Sequence, residues 1–131
     1  MKNIVELVNS LSNMLPLKPA TAVQIEDAEK QMNVKFAEEY IEYLSNFGAV
    51  LADGIELTGI AKSEHRNVVT VTKKEWELNS KVPHSMYVIE NAHIDGIIIW
   101  QDETGAIYKT TPNTKPKQIS KSLFEYISTR K

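Results

Sequence analysis

The sequence predicts an α+β domain: N-terminal helices, an antiparallel β-meander, then a C-terminal helix, with the helices packed on one face of the sheet. Three observations carry this. Apolar residues recur at helical spacing from Ile4 to Phe47. After Gly48 the period turns toward two, punctuated by Asp53-Gly54 and Asp95-Gly96. A last helical pattern follows Ser122.

Ile4, Leu7, Val8 and Leu11 fall at i, i+3, i+4 and i+7, the stripe of a first amphipathic helix. Pro16 and Pro19 bracket a linker, Leu17-Lys18, that no helix can cross. Thr21 offers an N-cap, with Gln24 three residues on to complete a capping box. Ile25, Ala28 and Met32 share one face of this second helix, and Asn33 ends it because Asn tolerates left-handed backbone. The third helix spans 37–46. Tyr40, Ile41, Leu44 and Phe47 form its buried stripe, Glu38 and Glu42 face water, and Gly48 stops it.

Segments 49–52 and 55–59 flank Asp53-Gly54 as a first strand pair. Val68–Thr72 is β-branched and reads locally as a strand, whereas 73–78 reads as helical. Segment 86–90 is a strand. Ile97–Gln101 is apolar on both faces, which marks a central strand. Asp102–Gly105 is a tight turn, and 106–110 returns as its antiparallel partner. Residues 111–117, with Pro112 and Pro116, form a loop. Ser120 or Ser122 caps a last helix that buries Leu123, Phe124 and Ile127.

A length of 131 residues fits one domain over 1–131, with enough chain to bury a core unaided. The chain has no cysteine, which removes disulfides, thiolate metal sites and cysteine nucleophiles. Formal net charge is -2, split unevenly: residues 1–64 hold ten acids and five lysines, residues 65–131 seven acids and ten bases. Such a split can steer a basic partner toward the acidic half. No apolar run approaches the roughly 20 residues that span a bilayer. Glu6, Asn9, Ser10 and Asn13 interrupt any leader-like core in Met1–Leu15, so a cytoplasmic location is expected.

Local motifs for chemistry are missing. His65, His84 and His93 lie far apart, without metal-ligand spacing. The five glycines draw neither a GxGxxG loop nor a P-loop, and no GxSxG elbow occurs. Asp102-Glu103-Thr104-Gly105 departs from an Asp-Thr-Gly motif by one residue and has turn composition. The carboxylate neighbours Glu26/Asp27, Glu38/Glu39 and Asp102/Glu103 point different ways and read as solvated charge rather than an acid–base pair. Lys109, Lys115, Lys117, Lys121, Arg130 and Lys131 make a mildly basic end, but the acidic N-terminal half opposes a direct nucleic-acid footprint. Trp100 belongs in the core. Trp76, in a charged segment, is both a core candidate and a part-exposed partner anchor. Glu29 edges an apolar stripe, where a carboxylate reaches a backbone amide or a cation.

With these residues placed, the chain resembles the SUKH superfamily of Smi/Knr-like proteins. Ile25, Ala28, Glu29 and Val34 fit that family's opening Ile-x-x-Ala-Glu helix. Glu39-Tyr40, Tyr43-Leu44 and Phe47-Gly48 fit the helix that follows, with Ala37 where the family usually has proline and Ala49 where it has a second glycine. Asp53–Glu56 and Gly59-Ile60 resemble its first strand pair, and Tyr87–Glu90 its middle strand. Asp95-Gly96, Asp102, Gly105 and Tyr108 resemble its closing hairpin, and 122–127 its terminal helix. The likeness covers about residues 21–128. It implies a short helix over 67–78, against the local strand reading of Val68–Thr72.

The resemblance also implies a binding domain without enzymatic activity, catalytic residues, metal or cofactor. Bacterial relatives are immunity proteins that block polymorphic toxins, often nucleases, by direct contact; others are regulatory scaffolds. The leading expectation is therefore an immunity protein that neutralises a cognate toxin. The alternative is a cytoplasmic regulatory or scaffold module with no toxin partner. Contact residues do not transfer between members. Charge and exposure nominate Glu38, Glu42, Asp53, Glu56, Trp76, Asp102 and Glu103 as partner contacts. The sequence leaves the oligomeric state open.

Overall fold

A computed structural model describes residues 3–130; Lys131, counted above in the basic C-terminal group, lies outside them. Helix α1 (Ile4–Asn9) opens the fold, capped by Asn3, whose side chain accepts the Glu6 N–H. A two-residue strand β1 (Leu15–Pro16) precedes α2 (Ala22–Met32). The expected capping box on α2 is present, with Thr21 and Gln24 exchanging bonds of 2.9 and 3.2 Å. Asn33 closes α2 at φ 55°, in the left-handed region. Helix α3 (Glu38–Phe47) follows, then β2 (Val50–Ala52) and β3 (Ile55–Glu56) around the Asp53-Gly54 turn. Next come α4 (Val68–Leu78), β4 (Tyr87–Asn91), β5 (Ile98–Gln101), β6 (Ile107–Thr110), β7 (Lys117–Ser120) and α5 (Leu123–Ser128). Ser122, one of the two residues offered as its cap, caps α5.

The strands form two antiparallel sheets, β1-β2-β3 and β4-β5-β6-β7. Strand β5 is central in the second sheet and buried at all four positions, as its two-sided apolar pattern requires. Tyr87, Ile89, Ile99 and Ile107 enter one large core with α1, α2, α3, α5 and the small sheet. Val88, Ile98 and Trp100 alternate to the other face and meet Val71 of α4, Val82 and Met86. Trp100 is fully buried, its indole N–H donating to Thr110 Oγ1 at 2.9 Å.

Four local expectations are corrected. Val68–Thr72 is the start of α4, the helix that the family resemblance implied over 67–78, and not the strand its local composition suggests. Asn67 accepts the Val69 and Thr70 N–H groups, and burial of Val68, Val69, Val71 and Thr72 outweighs their intrinsic strand preference. Strand β1, just before the Leu17-Lys18 linker, was not anticipated; Pro16 is tolerated there because β1 is an edge strand. Strand β7 begins at Lys117, which the sequence placed in a loop; only Ser120 of its four residues is buried, so no apolar alternation announced it. On α3 Tyr43, outside the expected stripe, is fully buried along with Leu44, while Ile41 is only half-buried. The Tyr43 hydroxyl donates to Thr58 O and accepts the Val50 N–H, which explains why a polar ring end sits in the core.

Two glycines let backbone segments meet. A Cβ on Gly59 would lie 1.8 Å from Gly48 O. One on Gly48, at φ 70°, would lie 2.2 Å from Lys18 O. The chain therefore crosses itself at these residues with no room for a methyl group.

Candidate groove on the α2–α3 face

Three of the seven nominated contacts are drawn together. Glu38, from the first turn of α3, and Asp102 and Glu103, from the β5–β6 turn, line one groove of about 880 Å³. Glu26, Glu29, Lys30 and Asn33 of α2 form another wall, and Lys35, Phe36, Ile41 and His84 complete much of the lining. Five carboxylates against two lysines leave the groove acidic. Glu38 and Glu103 are exposed.

Neighbouring residues hold this geometry. Glu29 Oε2 accepts the Phe36 N–H at 2.8 Å and bridges α2 to the segment entering α3, the amide role expected of it. Asp102 accepts Thr104 N–H and hydroxyl at 3.0 and 2.5 Å through one oxygen, and the Tyr108 hydroxyl at 2.9 Å through the other. Burial, then the hydrogen bond and charge of Asp102, raise the Tyr108 phenol above its ordinary range. His84 stacks on Trp76 with centroids 4.2 Å apart and planes 10° from parallel. Trp76 is half-buried and donates to Met86 O at 3.1 Å, so it backs the His84 wall rather than lining the groove.

The other three nominees lie outside the groove lining. Glu42 is exposed one turn along α3 from Glu38. Asp53 is tied to its turn, accepting Asn13 Nδ2 at 2.9 Å and donating its N–H to Ser12 O at 3.0 Å. Glu56 lies 3.7 Å from His93.

The reading of Glu38/Glu39 as solvated charge fails for Glu39. Glu39 turns inward. Its Oε1 accepts Leu123 N–H at 2.6 Å and Gln101 Nε2 at 3.0 Å, and its Oε2 accepts Phe124 N–H at 3.0 Å. The available signal was its place on the flank of the buried stripe, next to Tyr40. Glu90, only 3% exposed, shows in sequence nothing beyond its place in a strand. It accepts the Tyr126 hydroxyl at 2.6 Å and forms an ion pair with Arg130. Arg130 also donates to Gly54 O, so this member of the basic C-terminal group is used internally. Burial and the Glu90 charge raise the Tyr126 phenol well above its ordinary range.

Among the described residues, no group of three or more His, Asp or Glu could hold a metal ion. No helix among them is long and apolar enough to cross a membrane. Two helices, a β-turn and a stacked imidazole thus present an acidic concave surface suited to non-covalent recognition of a basic group. The family model described as SMI1-KNR4 cell-wall, SUKH_5, matches residues 1–129. The chain belongs to this SMI1-KNR4 (SUKH) family. No curated protein matches it.

Proposed function

We propose that this protein is a non-enzymatic immunity protein that neutralises a cognate toxin by stoichiometric binding, and that the toxin is a nuclease. Family membership supports a protein-binding role of this kind. The observation that carries the finer reading is the acidic groove, in which Glu38, Asp102 and Glu103 converge from elements far apart in sequence. A nuclease cleft must attract phosphate and is therefore basic. An acidic groove on an inhibitor complements it, speeds encounter and competes with the nucleic acid for the same cations. Glu26 and Glu38 supply exposed charge, and half-buried Ile41 supplies apolar contact beside it.

The test is co-purification with the product of the adjacent reading frame, joined to rescue of cells that express that product. A stable one-to-one complex with rescue supports the reading. A folded, toxic neighbour that neither binds nor is neutralised removes it. The family description names the cell wall rather than a toxin, which favours a second reading: a cytoplasmic regulatory module that binds a cellular protein. That reading gains weight from a toxin-free neighbourhood and capture of a single partner that requires the groove.

A further inference from the structure

Helix α2 has a groove on each flank. On the side away from Glu26 and Glu29, a cavity of about 520 Å³ lies between the 17–19 linker and the 60–66 segment. Its size falls within the range of small-molecule sites. Leu17, Pro19 and Ile60 provide apolar walls, and Leu17 is 36% exposed. Its charged lining residues are Lys18, Lys62 and Arg66, with no carboxylate. That balance opposes both the net negative chain and the groove across α2.

The cavity is pre-formed. Leu17 N–H donates to Ala49 O and Ala20 N–H to Leu44 O, each at 2.9 Å, so the linker is pinned at both ends. Ile60 N–H donates to Gly48 O at 3.0 Å, and Gly59 N–H to Arg66 O at 2.9 Å. The crossing at Gly48 and Gly59 locks the two walls together. A ligand would meet rigid backbone and lose little free energy ordering it.

Arg66 adds an independent observation. Its Nε and Nη2 atoms are buried without a hydrogen-bond partner, and among the described residues it makes no ion pair. A part-buried cation with two nitrogens shut away from any partner raises the potential around it, even with Glu56 lining a small crevice beside it. Lys18 and Lys62, both exposed at the rim, add to the same field.

We infer that this cavity binds a small organic anion, with an apolar body against Leu17, Pro19 and Ile60 and a carboxylate held at the Lys18–Lys62 rim in the field of Arg66. The test is titration of the full ¹⁵N-labelled chain with octanoate, followed by amide chemical shifts. Octan-1-ol and octylamine serve as controls of equal chain length. Saturable shifts at Leu17, Ile60, Ala61 and Lys62 with octanoate, and much weaker ones with either control, are expected. The double variant Lys18→Glu/Lys62→Glu, altered only at exposed positions, should weaken octanoate at least roughly 10-fold and favour octylamine. Arg66→Met, which keeps bulk and removes charge, should weaken octanoate without lowering the melting temperature. Linear shifts that do not saturate, shifts centred elsewhere, or equal saturation by octylamine would overturn the proposal.

Discussion

Replacing Glu39 should unfasten the C-terminal helix while leaving the acidic groove intact. The carboxylate spans α3 and α5. It accepts the N–H groups of Leu123 and Phe124, the first two residues of α5, while Ser122 Oγ accepts the third, from Glu125. Three otherwise orphaned donors of the helix start are thus satisfied, two of them by Glu39. Each hydrogen bond to a charged acceptor contributes about 1.5–3 kcal/mol when buried. Glu39 is half-buried, so the lower figure applies to each amide bond, and Glu39→Ala should cost about 3 kcal/mol. Glu39→Gln keeps one carbonyl acceptor and loses the charge, which should cost about 1–1.5 kcal/mol. Unfolding entropy for 131 residues implies about 3–4 °C per kcal/mol, so the Ala variant should melt about 10 °C lower. Urea unfolding by circular dichroism, with thermal melts, measures both. Glu38→Ala, one residue away and exposed, is the control and should stay within about 0.5 kcal/mol. Equal, small effects from both substitutions would refute the assignment of Glu39 as the clamp on α5.

Other outcomes follow from the same geometry. Glu38→Lys with Glu103→Lys should slow association with the proposed toxin partner at least roughly 10-fold at low salt, with the difference shrinking at high salt, as stopped-flow kinetics would read; an unchanged rate would remove the groove from the proposed interface. Gly59→Ala would drive a methyl group into Gly48 O, so a loss above about 3 kcal/mol or failure to fold is expected, and a soluble variant with an unchanged urea midpoint would contradict the crossing. Thr72→Val keeps the shape but strips the acceptor from Val88 N–H, whose bond to Thr72 Oγ1 is 2.9 Å and buried; a loss of about 1–3 kcal/mol in urea unfolding is expected. Burial raises the phenols of Tyr40, Tyr43 and Tyr87 above 10.0. The unfolded chain therefore loses protons first as pH climbs past about 10, and stability falls from there by up to about 4 kcal/mol per pH unit for the three. Absorbance of these three phenolates should appear only together with loss of helical signal above about pH 10, and titration of more than two of the five phenols with the fold intact would contradict it.

What the sequence revealed is local; what it hid is not. The Thr21–Gln24 box, the left-handed Asn33 and the Asp53-Gly54 turn each lie within a few residues of their partners, so spacing alone exposes them. The burial of β5 on both faces is likewise written in its own residues. Helix α4 is different. Four β-branched residues at its start favour a strand, and their burial against neighbouring elements decides otherwise, with Asn67 as the local clue that went unread. Strand β1 is only two residues long, and β7 shows three exposed positions in four, so neither carries a period. The groove was half legible. Glu38, Asp102 and Glu103 were nominated by charge and exposure, but their convergence joins residues more than 60 positions apart. Glu38 and Glu39 look alike in sequence, yet one faces the groove and the other supports a distant helix.

The outer side of β4 has a further consequence. Thr58 Oγ1 donates to Val88 O, Thr58 N–H donates to Ile89 O, and Thr72 Oγ1 accepts Val88 N–H, all at 2.8–2.9 Å. A foreign strand approaching there would find its docking groups already taken. In the four-stranded sheet that leaves β7, where Lys117 is exposed and the register with β6 shifts between Ile107 and Tyr108. Charge and irregular register are both poor templates for strand addition. Molecules stored at high concentration are thus guarded against pairing this sheet edge to edge by two threonines at one margin and a lysine at the other.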